Sequence, residues 1–193
     1  MTYDFHGSWR GETVTDHNAP FENPSKPNWS YTDALNRWLG AGAPADRLVG
    51  GFAFYGRAVV GVSDPTNNGG LGSPFSKSSS SGDRRAVYDA RDLLDAETTG
   101  VVTGSCSTCG GVGFVYYWDA QQKVPYLYNG DEWISYDNLR STCIKAKFSR
   151  ELGLRGGMAW ELAADDGRLQ ELVVKILITN SDAANKALDC SKL

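Results

Sequence analysis

The chain has 193 residues, 41% of them hydrophobic, enough to bury the core of one domain or of a domain with a sizeable insertion. Its formal net charge is −4 and no run of Lys and Arg stands out, which argues against nucleic acid and anionic membrane as partners. No stretch approaches the ~18 apolar residues of a membrane-spanning helix, and the opening residues MTYDFHGSWRG lack the basic and apolar regions of a signal peptide.

Met1 to Phe5 are apolar and β-prone and predict a short strand. Residues 10–30 are polar, with Pro20, Pro24 and Pro27, and read as a loop. Asn28-Trp29-Ser30 is a glycosylation sequon, a motif short enough to arise often by chance. Ser30 offers an N-cap with Asp33 three residues on, and Ala34, Leu35, Trp38 and Leu39 follow at helical spacing up to Gly40 and Gly42. Leu48 to Tyr55 is a continuous apolar run of strand length, the pattern of a strand buried on both faces.

Residues 61–82 are rich in Gly, Ser, Asn and Pro and predict a long loop. Asp83 is placed to cap a helix with Ala86, Val87, Ala90, Leu93 and Leu94 on one face. From Gly113 to Tyr136 the pattern turns to short aromatic strands, and Asn129-Gly130 is a hairpin signal between the last two. Ile144, Phe148 and Leu152, spaced by four, mark a helix that Gly153 ends. Gly157 to Trp160 predicts a short strand. Leu169, Leu172, Val173, Ile176 and Leu177 then trace one helical stripe, with Asp165 and Asp166 before it as cap and dipole partners.

The outer elements alternate as β/α units, and the stretch from about 60 to 136 reads as an inserted α+β module. The expected architecture is therefore α/β: a partial (β/α)8 TIM barrel, about strands 6–8 with their helices, over 1–59 and 137–193, plus the insertion at 60–136. Three parallel strands cannot close a barrel and leave open edges. Of the four cysteines, Cys106 and Cys109 form a lone CxxC, weak as a zinc signature; a local disulfide or two free thiols suits it better, and pairing with Cys143 or Cys190 stays open. An even cysteine count permits secretion without showing it.

Four segments together carry a family resemblance. Met1-Thr2-Tyr3-Asp4 before Phe5-His6-Gly7-Ser8-Trp9 resembles the sixth-strand MxYD motif of family 18 glycoside hydrolases, the chitinases and their kin. Phe54-Tyr55-Gly56-Arg57 is similar to the seventh-strand YGR ending. Gly156-Gly157-Met158-Ala159-Trp160-Glu161-Leu162 with Asp165-Asp166 resembles the eighth strand, and Val124 to Tyr128 through Trp133 to Asp137 resembles the end of the family's α+β insertion. The motifs occur in family order and cover nearly the whole chain.

The resemblance implies hydrolysis of β-1,4-linked N-acetylglucosamine polymers by substrate-assisted retaining catalysis. There the sugar's own acetamido oxygen attacks the anomeric carbon, an exception to the two-carboxylate rule. It implies chitin or chito-oligosaccharides as partners, no cofactor, no metal, and an extracellular parent family. Tyr3 would donate to the acetamido carbonyl and Asp4 would hydrogen-bond acetamide and sugar hydroxyls. Met1 would fill space beside the acetamide, Trp160 would floor the cleavage subsite, Tyr55 and Arg57 would add hydrogen bonds, and Trp9 would stack beyond the scissile bond. Arg57 reads equally as a structural ion-pair partner and Trp9 equally as loop packing. His6 fits the family's FHG segment as a structural residue, and neither it nor His17 sits in a metal-spaced carboxylate pattern.

The family carries its general acid in a DxxDxDxE motif ahead of MxYD, and these residues open on MxYD. The only imitation, Asp89-Ala90-Arg91-Asp92-Leu93-Leu94-Asp95-Ala96-Glu97, is one residue too long and has helical rather than strand periodicity, so it reads as a solvated helix face. The expectation is a chain without turnover of its own: a gene fragment, a lectin-like chitin-binding remnant, or one half of a split barrel whose partner is the missing N-terminal half.

Overall fold

A computed structural model describes residues 1–9, 11–64, 66–76, 87–103 and 110–193. The expected roles of Asp83, Ala86, Cys106 and Cys109, and part of the predicted 61–82 loop, lie outside the described residues.

Helix α1 (Tyr31–Gly40) forms where the spacing predicts it. Ser30 Oγ accepts the Asp33 N–H at 3.2 Å, Tyr31 and Leu35 are buried, and the chain leaves through Gly42 at φ 89°. The apolar run that follows is two strands rather than one: β1 (Val49–Ala53) and β2 (Tyr55–Val59). Phe54 is the divide. Its N–H donates to the Trp160 carbonyl at 2.8 Å and its carbonyl accepts from Ala90 at 3.2 Å, so the residues on either side of it pair with different neighbours.

The helix expected from Asp83 starts later. Val87–Asp89 is a strand, β3, antiparallel to Tyr55–Arg57, and the helix α2 runs Ala90–Thr99. Pairing with β2 overrides the helical spacing at Val87. The small pair β4 (Val102–Thr103) and β5 (Gly110–Gly111) follows, then β6 (Val115–Asp119), β7 (Val124–Tyr128) and β8 (Trp133–Ser135). Asn129-Gly130 makes the expected hairpin. Gly130 takes φ 97°, and Asn129 Oδ1 accepts the N–H groups of Asp131 (3.1 Å) and Glu132 (2.8 Å). These strands form a five-stranded antiparallel sheet in the order β3-β2-β8-β7-β6, which takes in Tyr55–Val59 ahead of residue 60.

Helix α3 (Leu139–Glu151) opens on a reciprocal capping box between Asn138 and Ser141 and ends before Gly153 at φ 67°. It carries Lys145 into the interior. There the ammonium donates to both Asp137 oxygens at 2.6 Å and to the Ala19 carbonyl at 2.5 Å, so the buried charge is paired and hydrogen-bonded. Strand β9 (Gly156–Trp160) runs parallel to β1, with Gly51 opposite Met158 and Ala53 opposite Trp160. Helix α4 (Arg168–Val174) passes into a π-helical turn (Lys175–Thr179), and α5 (Asp182–Ala187) closes the chain. The N-cap of α4 is Gly167 rather than either aspartate; Asp165 accepts the Gln170 N–H of the first turn at 2.9 Å, and Asp166 pairs with Arg168. Phe52, Phe54, Leu94, Cys143, Leu169 and Ile176 pack between β1, α2, α3 and α4, and a Cys143–Cys190 disulfide ties α3 to the chain end.

The N-terminal strand does not form. Residues 1–5 make no ladder, and the described residues hold two parallel strands where three were expected. Asp4 takes a left-handed φ of 60°, and its N–H and that of Phe5 go to the Asn18 side chain and carbonyl at 3.0 and 2.9 Å. Only Thr2 bonds β1, through its hydroxyl to the Gly51 carbonyl (2.7 Å) and N–H (2.9 Å). The result is a mixed α/β chain with a parallel pair against helices on one side and an antiparallel sheet on the other.

Candidate functional site

The C-terminal ends of β1 and β9 bring Ala53 and Trp160 side by side, and β2 turns away from there with Tyr55 at its start. The N-terminal segment lies across this corner. Met1, Tyr3, Asp4, Tyr55, Arg57 and Trp160 line one cleft of about 340 Å³, together with Val87, Asp89, Glu161 and Ala164. Six of the seven residues singled out in the sequence therefore share a cavity. The seventh, Trp9, stands at its border, with the Arg57 guanidinium 5.3 Å from its ring centroid.

Asp4 is the best-tied of the group. Its Oδ1 accepts from the Tyr55 hydroxyl at 2.5 Å and from Arg57 Nε at 2.9 Å, and its Oδ2 accepts from the other arm of the guanidinium at 2.8 Å. A carboxylate offers about four acceptor sites, so the three bonds leave room for a further donor. The guanidinium also lies 5.3 Å from the Tyr55 ring centroid and is thus held between two rings and a carboxylate. An asparagine or aspartate tolerates the left-handed backbone that aims Asp4 here, where most residues do not.

Tyr3 is buried edge-to-face against Tyr55 at 6.0 Å, and its hydroxyl points at Met158 Sδ, 3.8 Å away. Burial, then the Asp4 charge, push the Tyr3 hydroxyl above the ordinary tyrosine range. Burial and the bond to Asp4 push Tyr55 up likewise. Both phenols stay protonated donors at neutral pH. A thioether is a weak acceptor, so Tyr3 can exchange it for a carbonyl oxygen at small cost. Trp160 is 59% exposed on β9, and the peptide bond to Glu161 is cis.

Sequence reasoning missed Asp89 and Glu161 as lining residues. Asp89 is the first acid of the imitation motif; it lines the cleft and pairs with Arg91 rather than joining a solvated face. Glu161 follows Trp160 directly, the one hint available. The last acid of that motif, Glu97, is a correction. It lies on the helix α2 as expected but is half-buried and accepts the Tyr136 hydroxyl at 2.8 Å, and burial raises its carboxyl above the usual range. His6 sits between Glu12 and Asp16, and His17 beside Asp119 at 3.2 Å; neither lines the cleft.

A cleft at strand ends that offers an exposed indole, fixed phenol donors and a carboxylate with one acceptor site open suits a ligand with apolar faces and many hydroxyl or amide groups, which is the chemistry of a carbohydrate. Residues 1–165 match the family model Glycosyl hydrolases family 18, and the chain belongs to that family. It is 31% identical over 180 residues to an endochitinase of Manduca sexta, covering 86% of this chain and 30% of that protein. It is 35% identical over 169 residues to an oviduct-specific glycoprotein of Mesocricetus auratus, covering 87% and 23%. Among solved structures, a class V chitinase of Nicotiana tobaccum, also determined in complex with NAG4, superposes with a TM-score of 0.77 at 26% identity, over 93% of this chain and 48% of that one. The chain thus spans between 23% and 48% of the length of these relatives.

Proposed function

We propose that these 193 residues supply the acetamide-holding and sugar-stacking half of a chitinase-type active site, and that alone they bind N-acetylglucosamine oligomers without hydrolysing them. The observation that carries this reading is the Asp4 carboxylate, fixed by Tyr55 and Arg57 inside a cleft that also presents Trp160. On this reading the two β/α layers around β1 and β9 are the last part of a TIM barrel, 60–136 is its α+β insertion, and the remaining barrel strands come from a complementary N-terminal half.

In the family's reaction the acetamido oxygen attacks the anomeric carbon while an acid protonates the leaving oxygen. Tyr3 leaves Met158 Sδ and donates to the acetamide carbonyl, fixing its direction of attack. Asp4, with one acceptor site still open, takes the acetamide N–H and holds the positive charge that develops on the cyclised acetamide. Orientation of this kind is worth several kcal/mol. Trp160 stacks under the same sugar, Met1 packs beside the acetamide, and Arg57 and Trp9 meet the next unit. The missing step is proton donation. No carboxyl in the 193 residues stands in the family's acid motif, and a general acid contributes about 10²–10⁴-fold.

The purified chain is expected to release no fluorophore from a fluorogenic chitobioside while binding the N-acetylglucosamine trimer in titration calorimetry, with binding abolished in Trp160→Ala. Turnover at rates above a heat-killed control sinks the non-catalytic half of the reading. Absence of trimer binding by the folded chain sinks the other half and leaves an inert piece of a longer enzyme.

A further inference from the structure

Two exposed tryptophans, Trp9 and Trp29, are linked through the neighbours His6 and Gly7, and of the two Trp9 borders the cleft. The Trp9 ring, 37% exposed, is packed onto Gly7, where an added Cβ would fall 2.3 Å from the indole. The residue before that glycine, His6, is buried, and its ring stacks on Trp29 with centroids 5.5 Å apart and planes 29° off parallel. His6 is itself held from one side: its Nδ1 is 3.3 Å from both Glu12 carboxylate oxygens, while its Nε2 lies 3.5 Å from Asp16 Oδ2 without a hydrogen bond. Trp29 is fixed from its backbone as well: its N–H donates to the Lys26 carbonyl at 3.3 Å, and the next residue, Ser30, caps α1. The indole is therefore backed on one face by a held ring while 49% of the residue stands in water.

We propose that Trp29 is an outer stacking platform for a pyranose polymer, continuing the path that runs from Trp160 past Arg57 and Trp9. The inference rests on the reading of the cleft as an N-acetylglucosamine oligomer site. A flat ring binds the apolar face of a sugar well only if it does not have to be ordered first, since each side chain immobilised on binding costs affinity. The stack on His6, which Glu12 holds, has already ordered Trp29. Polar groups for the equatorial hydroxyls stand beside it: the exposed Asn28, at φ 80°, and the Lys26 ammonium, 2.9 Å from Asp16. Trp38 provides the contrast. It is 63% exposed on α1 but has no ring stacked behind it among the described residues. The single exposed apolar residue needs no functional account; the pair Trp9 and Trp29, joined through His6 and Gly7 and with Trp9 against Arg57 at the cleft border, does.

The test compares oligomer lengths on the full chain by titration calorimetry. Trp29→Ala is expected to lower hexamer affinity about three- to tenfold, the worth of one ring contact, and to leave trimer affinity unchanged; Trp29→Phe is expected to keep most of the hexamer affinity. Unchanged hexamer binding in Trp29→Ala, with Trp160→Ala still weakening both lengths, overturns the platform and leaves the cleft reading intact. An equal loss for trimer and hexamer shows that Trp29 serves only the local packing, and overturns it too. Failure of the unaltered chain to bind either length removes the cleft reading, and the platform with it.

Discussion

Asp4 owes its position to a conflict between local and long-range demands. An extended Met1–Phe5 would give β1 a second parallel neighbour beside β9, but the left-handed φ of 60° at Asp4 breaks that extension and turns its carboxylate toward β2. Arg57 is the other half of the arrangement, a planar fork that meets both oxygens at 2.9 and 2.8 Å while lying against Trp9 and Tyr55. Charge-assisted bonds of this sort contribute about 1.5–3 kcal/mol each when screened from water, and less at the partial exposure found here. Arg57→Ala is therefore expected to weaken trimer binding about tenfold, by freeing Asp4 to wander. Arg57→Lys restores the charge but neither the fork nor the flat surface between the rings, so it recovers only part of the loss. Calorimetry on the pair decides it: a lysine variant that binds as tightly as the unaltered chain rules out the geometric role.

Much of this cleft could be read before the fold was known, because the YGR and Trp160 segments lie at ends of strands that apolar patterning also marks, while the MxYD segment reaches the same cleft without forming a strand. What could not be read is where a strand changes partners. The run Leu48–Tyr55 is uniformly apolar, and nothing in it announces that Phe54 hands its N–H to Trp160 and its carbonyl to Ala90. Nor does helical spacing reveal that Val87–Asp89 pairs with β2, which is what carries Asp89 to the cleft. Helix α2 also hides a charge. Glu97 looks solvated by spacing, yet it packs beneath Tyr136, and burial raises its carboxyl. A raised folded-state value means the folded chain resists ionising this group. As pH climbs through the ordinary value of 4.5 the unfolded chain loses the proton first, and stability falls until the folded carboxyl has ionised as well. Glu97→Gln keeps an acceptor for Tyr136 and removes the titration. The variant's melting temperature is expected to match the unaltered chain below pH 4.5 and to exceed it at pH 7. A gap that does not change with pH argues against a buried, titrating Glu97.

At the scale of the whole molecule, the parallel pair is the exposed part. Among the described residues β9 pairs with β1 alone, so its second edge offers N–H and carbonyl groups with no strand to meet them. The surface beside that edge carries Val173, Val174, Leu177 and Ile178, with the charged Arg150, Arg155 and Asp182 on the same rim. One cavity of about 640 Å³ runs between Gly156, Gly157, Val174 and Ile178, and another of about 360 Å³ lies between Phe52, Met158, Leu162 and Val173. Ile178 is 74% exposed there, on the π-helical turn that follows α4. The antiparallel sheet, by contrast, buries β7 and β8 on both faces. Such exposed apolar side chains beside a free strand edge are what a dye such as ANS binds and what draws chains together. The cleft lies at the C-terminal ends of β1 and β9, and the groove runs along the flank of β9. Val174→Lys with Ile178→Lys is therefore expected to lower ANS fluorescence and light scattering of the concentrated chain while trimer binding holds. Equal dye binding by the double variant would show that the β9 flank is not the sticky surface, and parallel loss of trimer binding would show that flank and cleft depend on one another.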